Sequence, residues 1–186
     1  MKLNRLNSAK MARWQLRGFL ILWTVSACLG KTLDARMESF TCPEGEEETL
    51  FSCETRLIGR DRMLNGTFTN HVDLDDSFEV WLNILQFKNG EWVQGNINLR
   101  LRACDYLTKF FGKYFLPMIK DTNVPPVEEL CPFRKGEYYI RNGKMEPQNW
   151  PTLLYRGLNK FNIDFVRNGK STGGFRILID LSEPER

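Results

Sequence analysis

Histidine is nearly absent from the sequence, because His71 is the one histidine among 186 residues. Catalytic triads and multi-histidine metal centres depend on imidazole, so such a site has only one place to form. The zinc-protease pattern H-E-x-x-H, the P-loop and the Rossmann glycine pattern are also missing. We therefore interpret His71 as an ordinary polar residue on a strand, and we expect no enzyme activity, no catalytic residue and no cofactor.

Metal-binding patterns are missing as well. No two cysteines are separated by the two or four residues that are typical of zinc sites. A calcium-binding EF-hand loop that began at Asp73 would need glycine at its sixth position, where Phe78 stands, and glutamate at its twelfth, where Ile84 stands. We therefore expect no metal and interpret the acidic segment 73–76 as a solvated turn.

Long apolar runs are absent beyond the N-terminal segment. Residues 1–30 begin with a basic stretch without acids, continue with the apolar run 19–25 and end in small residues such as Ala27 and Gly30. This order predicts a secretory signal peptide that is cleaved after Gly30 or Ala27. An uncleaved membrane anchor is the alternative, although the run is shorter than the roughly 20 residues that cross a bilayer. We expect a secreted, extracellular protein without a transmembrane span, with residues 31–186 forming one domain.

The excess of positive charge belongs to the signal segment. The chain has 26 Lys and Arg against 23 Asp and Glu, a net charge of +3. Five of these basic residues lie in 1–30, so the remaining 21 face 23 acids and the net charge falls to about −2. The basic residues are scattered and do not form the stripe that is typical of nucleic-acid binding. We therefore expect no nucleic-acid partner.

Cysteine usage agrees with export. Cys28 belongs to the signal segment, and Cys42, Cys53, Cys104 and Cys131 remain after its removal. Four cysteines in an oxidising compartment can pair in three ways, and sequence alone does not choose among them. We take the nearest-neighbour pairing, Cys42 with Cys53 and Cys104 with Cys131, as our prediction.

One N-glycosylation sequon is present, Asn65-Gly66-Thr67. In a secreted chain a sequon on exposed structure is often used. We therefore predict a glycan on Asn65.

Alternating apolar and polar residues surround Asn-Gly pairs at 89–90, 142–143 and 168–169. Both residues tolerate positive φ, so Asn-Gly between alternating segments predicts a hairpin turn at each of these positions. A further strand is predicted at 64–72. Six or seven short antiparallel strands at this spacing predict a mainly β fold, an antiparallel sandwich.

One amphipathic helix is predicted between the strands, at 105–120. Asp105 can cap its start, and Pro117 should end or kink it near Leu116. Its apolar face has helical spacing and comprises Leu107, Phe110, Phe111, Tyr114, Phe115 and Met118.

This apolar face has two possible roles. It can pack against the sandwich as ordinary core, as most such faces do. It can also line a cavity for an apolar ligand, since ligand pockets are mostly apolar and aromatic with few polar groups. The candidate cavity residues are Phe110, Phe111, Tyr114, Phe115 and Met118.

Most of the chain that follows the signal segment resembles a known family. The residues that carry the resemblance are Cys104-Asp105-Tyr106-Leu107, Cys131-Pro132, Gly136 with Tyr138-Tyr139-Ile140-Arg141-Asn142-Gly143, and Trp150-Pro151. These blocks resemble the insect Che chemosensory proteins, of the A and B type, which belong to a large insect family of unknown function. The resemblance covers residues from about 64 to 181.

The resemblance implies a fold similar to the ML lipid-recognition superfamily, to which the ganglioside activator protein belongs. Members of that superfamily hold lipid in an apolar cup between two sheets. By resemblance, the chain would bind or present a lipid, cuticular hydrocarbon or pheromone in gustatory perception and pheromone response.

A secreted interaction module is the alternative. Such a module would bind a receptor or channel on a sensory neuron through its surface, without a lipid ligand. A cavity of roughly 300 Å³ between the sheets would favour the ligand-binding hypothesis, and a filled core would favour the interaction module.

Overall fold

Two antiparallel sheets pack face to face in the computed structural model, which describes residues 34–146, Trp150 and 154–183. The signal peptide predicted for 1–30 lies outside the described residues. Within the described residues the first sheet has five strands in the order β1-β9-β8-β4-β5, and the second has four in the order β2-β3-β7-β6. The strands are β1 Asp34–Thr41, β2 Phe51–Ile58, β3 Met63–Asn70, β4 Glu79–Lys88, β5 Glu91–Arg102, β6 Asp121–Thr122, β7 Gly136–Gly143, β8 Gly157–Arg167 and β9 Lys170–Ser182.

The mainly β sandwich with one helix is therefore confirmed. Strand β4 illustrates why alternating apolar and polar residues predict a strand. Val80, Leu82 and Ile84 are buried, while the residues between them are partly exposed. Successive side chains of a strand point to opposite faces, so one face of the strand enters the core. The core lies between the sheets, and Phe161, Ile163 and the other inward residues of β8 contribute to it from the middle of the five-stranded sheet.

Two of the three predicted hairpins form. Asn89 and Gly90 both have positive φ, 52° and 88°, and connect β4 to β5. Asn168 and Gly169 do the same between β8 and β9, with φ of 54° and 78°. Positive φ at both central residues gives the turn the twist of the flanking strands.

The hairpin predicted at Asn142-Gly143 is wrong. Asn142 does have positive φ, 52°, but Gly143 pairs with Leu64 as the last residue of β7. The next residue, Lys144, donates its backbone N–H to the carbonyl oxygen of Met118 at 3.1 Å. The chain therefore leaves the sheet toward the helical segment and does not turn back along β7.

Helix α1 has 12 residues, 103–114. It consists of Ala103–Asp105, the π-helical segment Tyr106–Phe111 and Gly112–Tyr114, and a 3-10 turn at Leu116–Met118 follows. The expected end near Leu116 is close to the observed one, because Pro117 lies in that 3-10 turn. The expected cap is wrong, since Asp105 lies inside the helix and pairs with Lys109 at 2.5 Å.

Two disulfide bonds hold the fold together, and their pairing is the predicted one. Cys42 pairs with Cys53, with a Cα–Cα distance of 5.8 Å, and Cys104 pairs with Cys131, with a distance of 5.4 Å. The first joins the end of β1 to β2, and the second ties the start of α1 to the loop before β7. None of the helices in the described part of the chain has the length and apolar character that a bilayer span requires.

Candidate functional site

An apolar cavity lies between the two sheets, beside the segment that follows helix α1. Met37 and Phe175 line it from the five-stranded sheet, and Leu64 and Ile140 line it from the four-stranded sheet. Lys144 is the one ionisable residue among the residues that line the cavity. The cavity therefore offers its contents a surface that consists almost entirely of carbon and sulfur.

Three of the predicted cavity residues line this cavity, namely Phe111, Phe115 and Met118. Phe111 stacks on Phe115 with ring centroids 6.2 Å apart and an interplanar angle of 13°. Phe115 and Met118 are buried, whereas Phe111 is only half-buried. Phe111 therefore stands at the rim of the cavity, and the other two form its wall.

The other two predicted residues, Phe110 and Tyr114, lie elsewhere. Their rings meet edge to face at 5.0 Å, and both line a surface groove of about 380 Å³ between α1 and strand β5. Leu99 and Leu101 of β5 form part of the opposite wall of this groove. The single apolar face that was predicted is therefore divided between two sites, the cavity and this groove.

The helical spacing itself accounts for this division. Phe110 and Tyr114 are four residues apart and form one row, whereas Phe111 and Phe115 form the next row, about 100° further round the helix. The π-helical segment begins with Tyr106, whose ring lies in the core, stacks on Phe110 at 5.8 Å and meets Phe165 at 6.0 Å.

Burial of Tyr106 has an electrostatic consequence. Its side chain is almost fully enclosed, and desolvation of the phenolate raises the pKa of Tyr106 far above its usual range. Tyr106 is therefore a neutral core residue. It was not predicted as a core residue, because its position is not on the face defined by the regular helical spacing.

Aromatic rings that do not line the cavity pack against Phe115. Phe115 meets Phe161 at 6.1 Å and Trp150 at 5.3 Å, each close to perpendicular. Edge-to-face contacts of this kind contribute about 0.5–1.5 kcal/mol beyond the burial of area. These contacts therefore help to hold the Phe115 ring in place.

The cavity is small in this structure, with a volume of about 70 Å³. Pockets for ordinary organic ligands have volumes of roughly 300 Å³ or more. Its walls, however, are adaptable, since methionine side chains are unbranched and polarizable and re-pack easily. Met37, Met118 and Met145 all line the cavity.

Most of the cavity wall was not predicted from the sequence. Met37 and Phe40 of β1 and Phe175 of β9 contribute to it, although no sequence motif distinguishes them from ordinary strand residues. Phe175 alternates with Ile177 and Ile179 on β9, whereas Met37 and Phe40 are three residues apart, on either side of the bulge in β1. Only the pairing of β1 with β9 brings them to the same end of the sandwich.

His71 does form a contact with a hydroxyl. Its Nε2 lies 2.9 Å from Oγ of Ser52, at an exposed position just after the end of β3, so the expected position of His71 on a strand is wrong. A hydrolytic triad needs a third group that orients the imidazole. Among the described residues no hydrogen bond or ion pair joins His71 to a carboxylate.

Gly169, Ser171 and Gly173 do have the spacing G-x-S-x-G of a hydrolase nucleophile elbow, a pattern that was overlooked when no enzyme activity was predicted. That motif functions at a sharp turn from a strand into a helix, where the serine is exposed. Here Gly169 lies in a hairpin turn and Ser171 continues into β9, where its Oγ accepts a hydrogen bond from the Gly173 N–H at 3.3 Å. The geometry is that of a hairpin.

The acidic segment after β3 has structural partners. Asp73 accepts a hydrogen bond from the Lys135 N–H at 2.7 Å and pairs with Arg134 at 2.8 Å, and these contacts lower the pKa of Asp73. Hydrogen bonds from Ser77 lower the pKa of Asp75 in the same way. Across the described residues, no group of three or more His, Cys, Asp or Glu side chains could hold a metal ion.

Asn65, the residue of the sequon, lies on β3. Its Oδ1 accepts a hydrogen bond from the Asn142 N–H at 3.1 Å, and its Nδ2 donates to the Met63 carbonyl oxygen at 3.2 Å. The side chain is half-buried on a strand, and glycosylation at this position stays a prediction.

The fold and the cavity together define a disulfide-bonded β-sandwich with an apolar cavity between its sheets. A family model described as "Protein of unknown function (DUF1091)" matches residues 80–161. The match includes β4, β5, helix α1, the Cys104–Cys131 disulfide and β7. A search of the curated proteins finds no match.

Proposed function

We propose that the protein is a secreted, non-enzymatic carrier that binds a hydrophobic ligand between its two sheets and presents it in chemosensation. The observation that carries this proposal is the apolar cavity, which both sheets and the segment after α1 line together. Burial of apolar ligand surface releases about 0.8 kcal/mol for each methylene group. An alkyl chain that is nearly insoluble in water would therefore bind favourably between such walls.

Because the cavity is small, a ligand can bind in it only if side chains move. A ligand longer than a few carbon atoms must displace side chains from the space of about 70 Å³. Met118 can change rotamer, and the half-buried Phe111 ring can swing toward solvent from the rim. We therefore expect the ligand-bound cavity to be larger than the one described here.

Support for secretion comes from the two disulfide bonds, which persist in oxidising compartments. Support for the chemosensory role comes from the resemblance to the Che proteins and, through them, to the ML lipid-recognition superfamily. The family of unknown function that matches residues 80–161 agrees with that resemblance but names no activity.

A fluorescent fatty-acid probe tests the proposal. The secreted protein, freed of lipid by solvent extraction, should bind the probe, and mass spectrometry of the extract should reveal a lipid. The substitution Met118→Trp should fill the cavity and weaken probe binding, whereas Leu99→Trp, in the groove beside α1, should leave it unchanged. Absence of both probe binding and co-purified lipid would overturn the proposal.

A second candidate function is an interaction module that binds a sensory-neuron receptor or channel. The small cavity favours it, and so does a set of large apolar side chains that are exposed in the structure. They are Phe87, Val93, Leu99 and Tyr155. If Phe87→Ser abolished binding of the protein to neurons while the lipid-free protein took up no probe, this second function would replace the first.

A further inference from the structure

A polar cleft adjoins the apolar cavity at the seam between the two sheets. It has a volume of about 300 Å³ and lies between β1 and the hairpin of β2 and β3. Ser39, Thr55, Arg56 and Arg62 line it. Phe40 and Leu64 line both this cleft and the apolar cavity.

The shared residues make the two spaces neighbours. A molecule that extends past Phe40 and Leu64 would leave an environment of carbon and sulfur and enter one that contains guanidinium groups. Such a change of environment over one side-chain width matches an amphiphile, a molecule with an apolar chain and a polar head.

Arg62 is positioned at this seam by its own contacts. Its Nε donates to the carbonyl oxygen of Met37 at 2.8 Å, and its Nη2 donates to the carbonyl oxygen of Glu38. The Glu38 carboxylate lies 3.6 Å from Nε, but it also pairs with Arg36 at 3.1 Å. Glu38 is therefore shared between two arginines and only partly neutralises the charge of Arg62. The side chain of Arg62 remains 32% exposed.

Arg56 adds a second positive charge to the cleft. It is exposed on strand β2, and among the described residues no hydrogen bond or salt bridge holds its side chain. Guanidinium groups bind carboxylates through paired N–H donors, and such charge-assisted hydrogen bonds are about twice as strong as neutral ones. The cleft therefore favours an anionic head.

We propose that the ligand is a long-chain anionic amphiphile, such as a fatty acid, whose carboxylate is held by Arg56 and Arg62 in the cleft while its alkyl chain lies between the sheets. This inference rests on the proposed function. The head remains in the cleft, and the alkyl chain enters the cavity of about 70 Å³ by displacing side chains, as any ligand longer than a few carbon atoms must. A neutral hydrocarbon has no group that the cleft would recognise.

Ligands of equal chain length test the inference. A saturated fatty acid, the corresponding alcohol and the corresponding alkane should each compete for the fluorescent probe, with the acid binding more tightly. A hydrogen bond to a charged group contributes about 1.5–3 kcal/mol, which corresponds to an affinity ratio of roughly 10–150 between acid and alcohol.

Substitutions in the cleft test whether its arginines cause the preference for the acid. Arg56→Gln should remove most of the preference for the acid, while the affinity for the alcohol stays the same. Arg62→Gln should act similarly, and its thermal unfolding is measured as well because Arg62 also bridges the β1 carbonyls. The matched control is Arg60→Gln, since Arg60 lies in the same hairpin but does not line the cleft.

The outcomes separate this inference from the proposed function. If acid and alcohol bind equally, the inference is overturned and the carrier function stands. If neither binds, the carrier function itself fails. Co-sedimentation with vesicles of anionic phospholipid distinguishes the source of the head group: binding to vesicles that depends on Arg56, without affinity for the free acid, would overturn the inference in favour of a membrane contact.

Discussion

Asp76 caps helix α1 from a distant part of the chain: its Oδ1 accepts a hydrogen bond of 3.0 Å from the backbone N–H of Cys104. The two residues are 28 positions apart. The first backbone N–H groups of a helix have no partner within the helix, so a side-chain acceptor stabilises the start. Helix α1 therefore begins where the loop before β4 meets the end of β5.

We expect Asp76→Ala to destabilise the protein by about 1 kcal/mol, because a helix cap is lost. Urea unfolding, followed by tryptophan fluorescence, measures the change. The control is Asp105→Ala, which removes an exposed ion pair with Lys109. Such pairs contribute roughly 0.3–0.5 kcal/mol, so a larger effect at Asp105 than at Asp76 would contradict the observed cap.

Phe110 and Phe111 are adjacent in sequence but belong to different sites, which makes them a matched pair. We expect Phe111→Ala to accelerate uptake of the fluorescent probe several-fold, since it removes a half-buried ring from the rim of the cavity. Phe110→Ala should change the rate less, since Phe110 lines the groove beside β5 and contacts the cavity wall only through Phe115. Stopped-flow fluorescence measures both rates. Equal effects would refute the assignment of Phe110 and Phe111 to different sites.

Asp73 should contribute to stability in a pH-dependent manner. Hydrogen bonds from the Lys135 N–H and Arg134 lower the pKa of Asp73 in the folded protein. The resulting stabilisation is present above the unfolded-state pKa of about 3.9, and it is lost as the pH falls through the lower folded-state pKa.

Asp73→Asn should therefore reduce the dependence of unfolding free energy on pH in the range from about pH 5 to pH 2. Arg134→Gln should reduce it less, because the backbone hydrogen bond from Lys135 is the larger cause of the pKa shift. Urea unfolding at several pH values measures both slopes. A steeper slope in Asp73→Asn than in the unsubstituted protein would reverse the assigned sign.

The two disulfide bonds should differ in their contribution to stability. Cys42–Cys53 closes a separation of 11 residues, and Cys104–Cys131 closes one of 27. On the loop-entropy model these closures correspond to about 3 and 3.5 kcal/mol. We expect the Cys104→Ala, Cys131→Ala double variant to be the less stable, since it also frees the start of α1. Thermal unfolding of both double variants checks the order.

Asn65 should carry a glycan when the protein is secreted by cultured eukaryotic cells. Treatment with a glycan-removing amidase should increase gel mobility, and Asn65→Gln should abolish that shift. Thr67→Ala is the second variant, because it removes the sequon but keeps the Asn65 side chain and its hydrogen bond from Asn142. A shift that persisted in Thr67→Ala would place the glycan elsewhere.

The candidate cavity could be predicted only in part. The helical spacing of Phe111, Phe115 and Met118 indicates an apolar face, and the structure brings these three to one cavity. The opposite wall comes from strands that are distant in sequence, so no local pattern can indicate that Met37 faces Met118 across the same space. The cleft with Arg56 and Arg62 was not predicted either, since it exists only where the edge strands of two sheets meet.

The amino-acid sequence by itself determined the local features of this protein. Alternation sets the inward faces of β4 and β8, and Asn89-Gly90 and Asn168-Gly169 turn the chain, because positive φ and side-chain direction are properties of a few neighbouring residues. Tertiary structure decided the rest. At Asn142-Gly143 the same dipeptide forms no hairpin, because β3 pairs with β7 and the chain continues toward Met118. The π-helical turn of α1, the cap from Asp76 and the cavity depend on contacts between distant segments, and such contacts exist only after the sheets have packed.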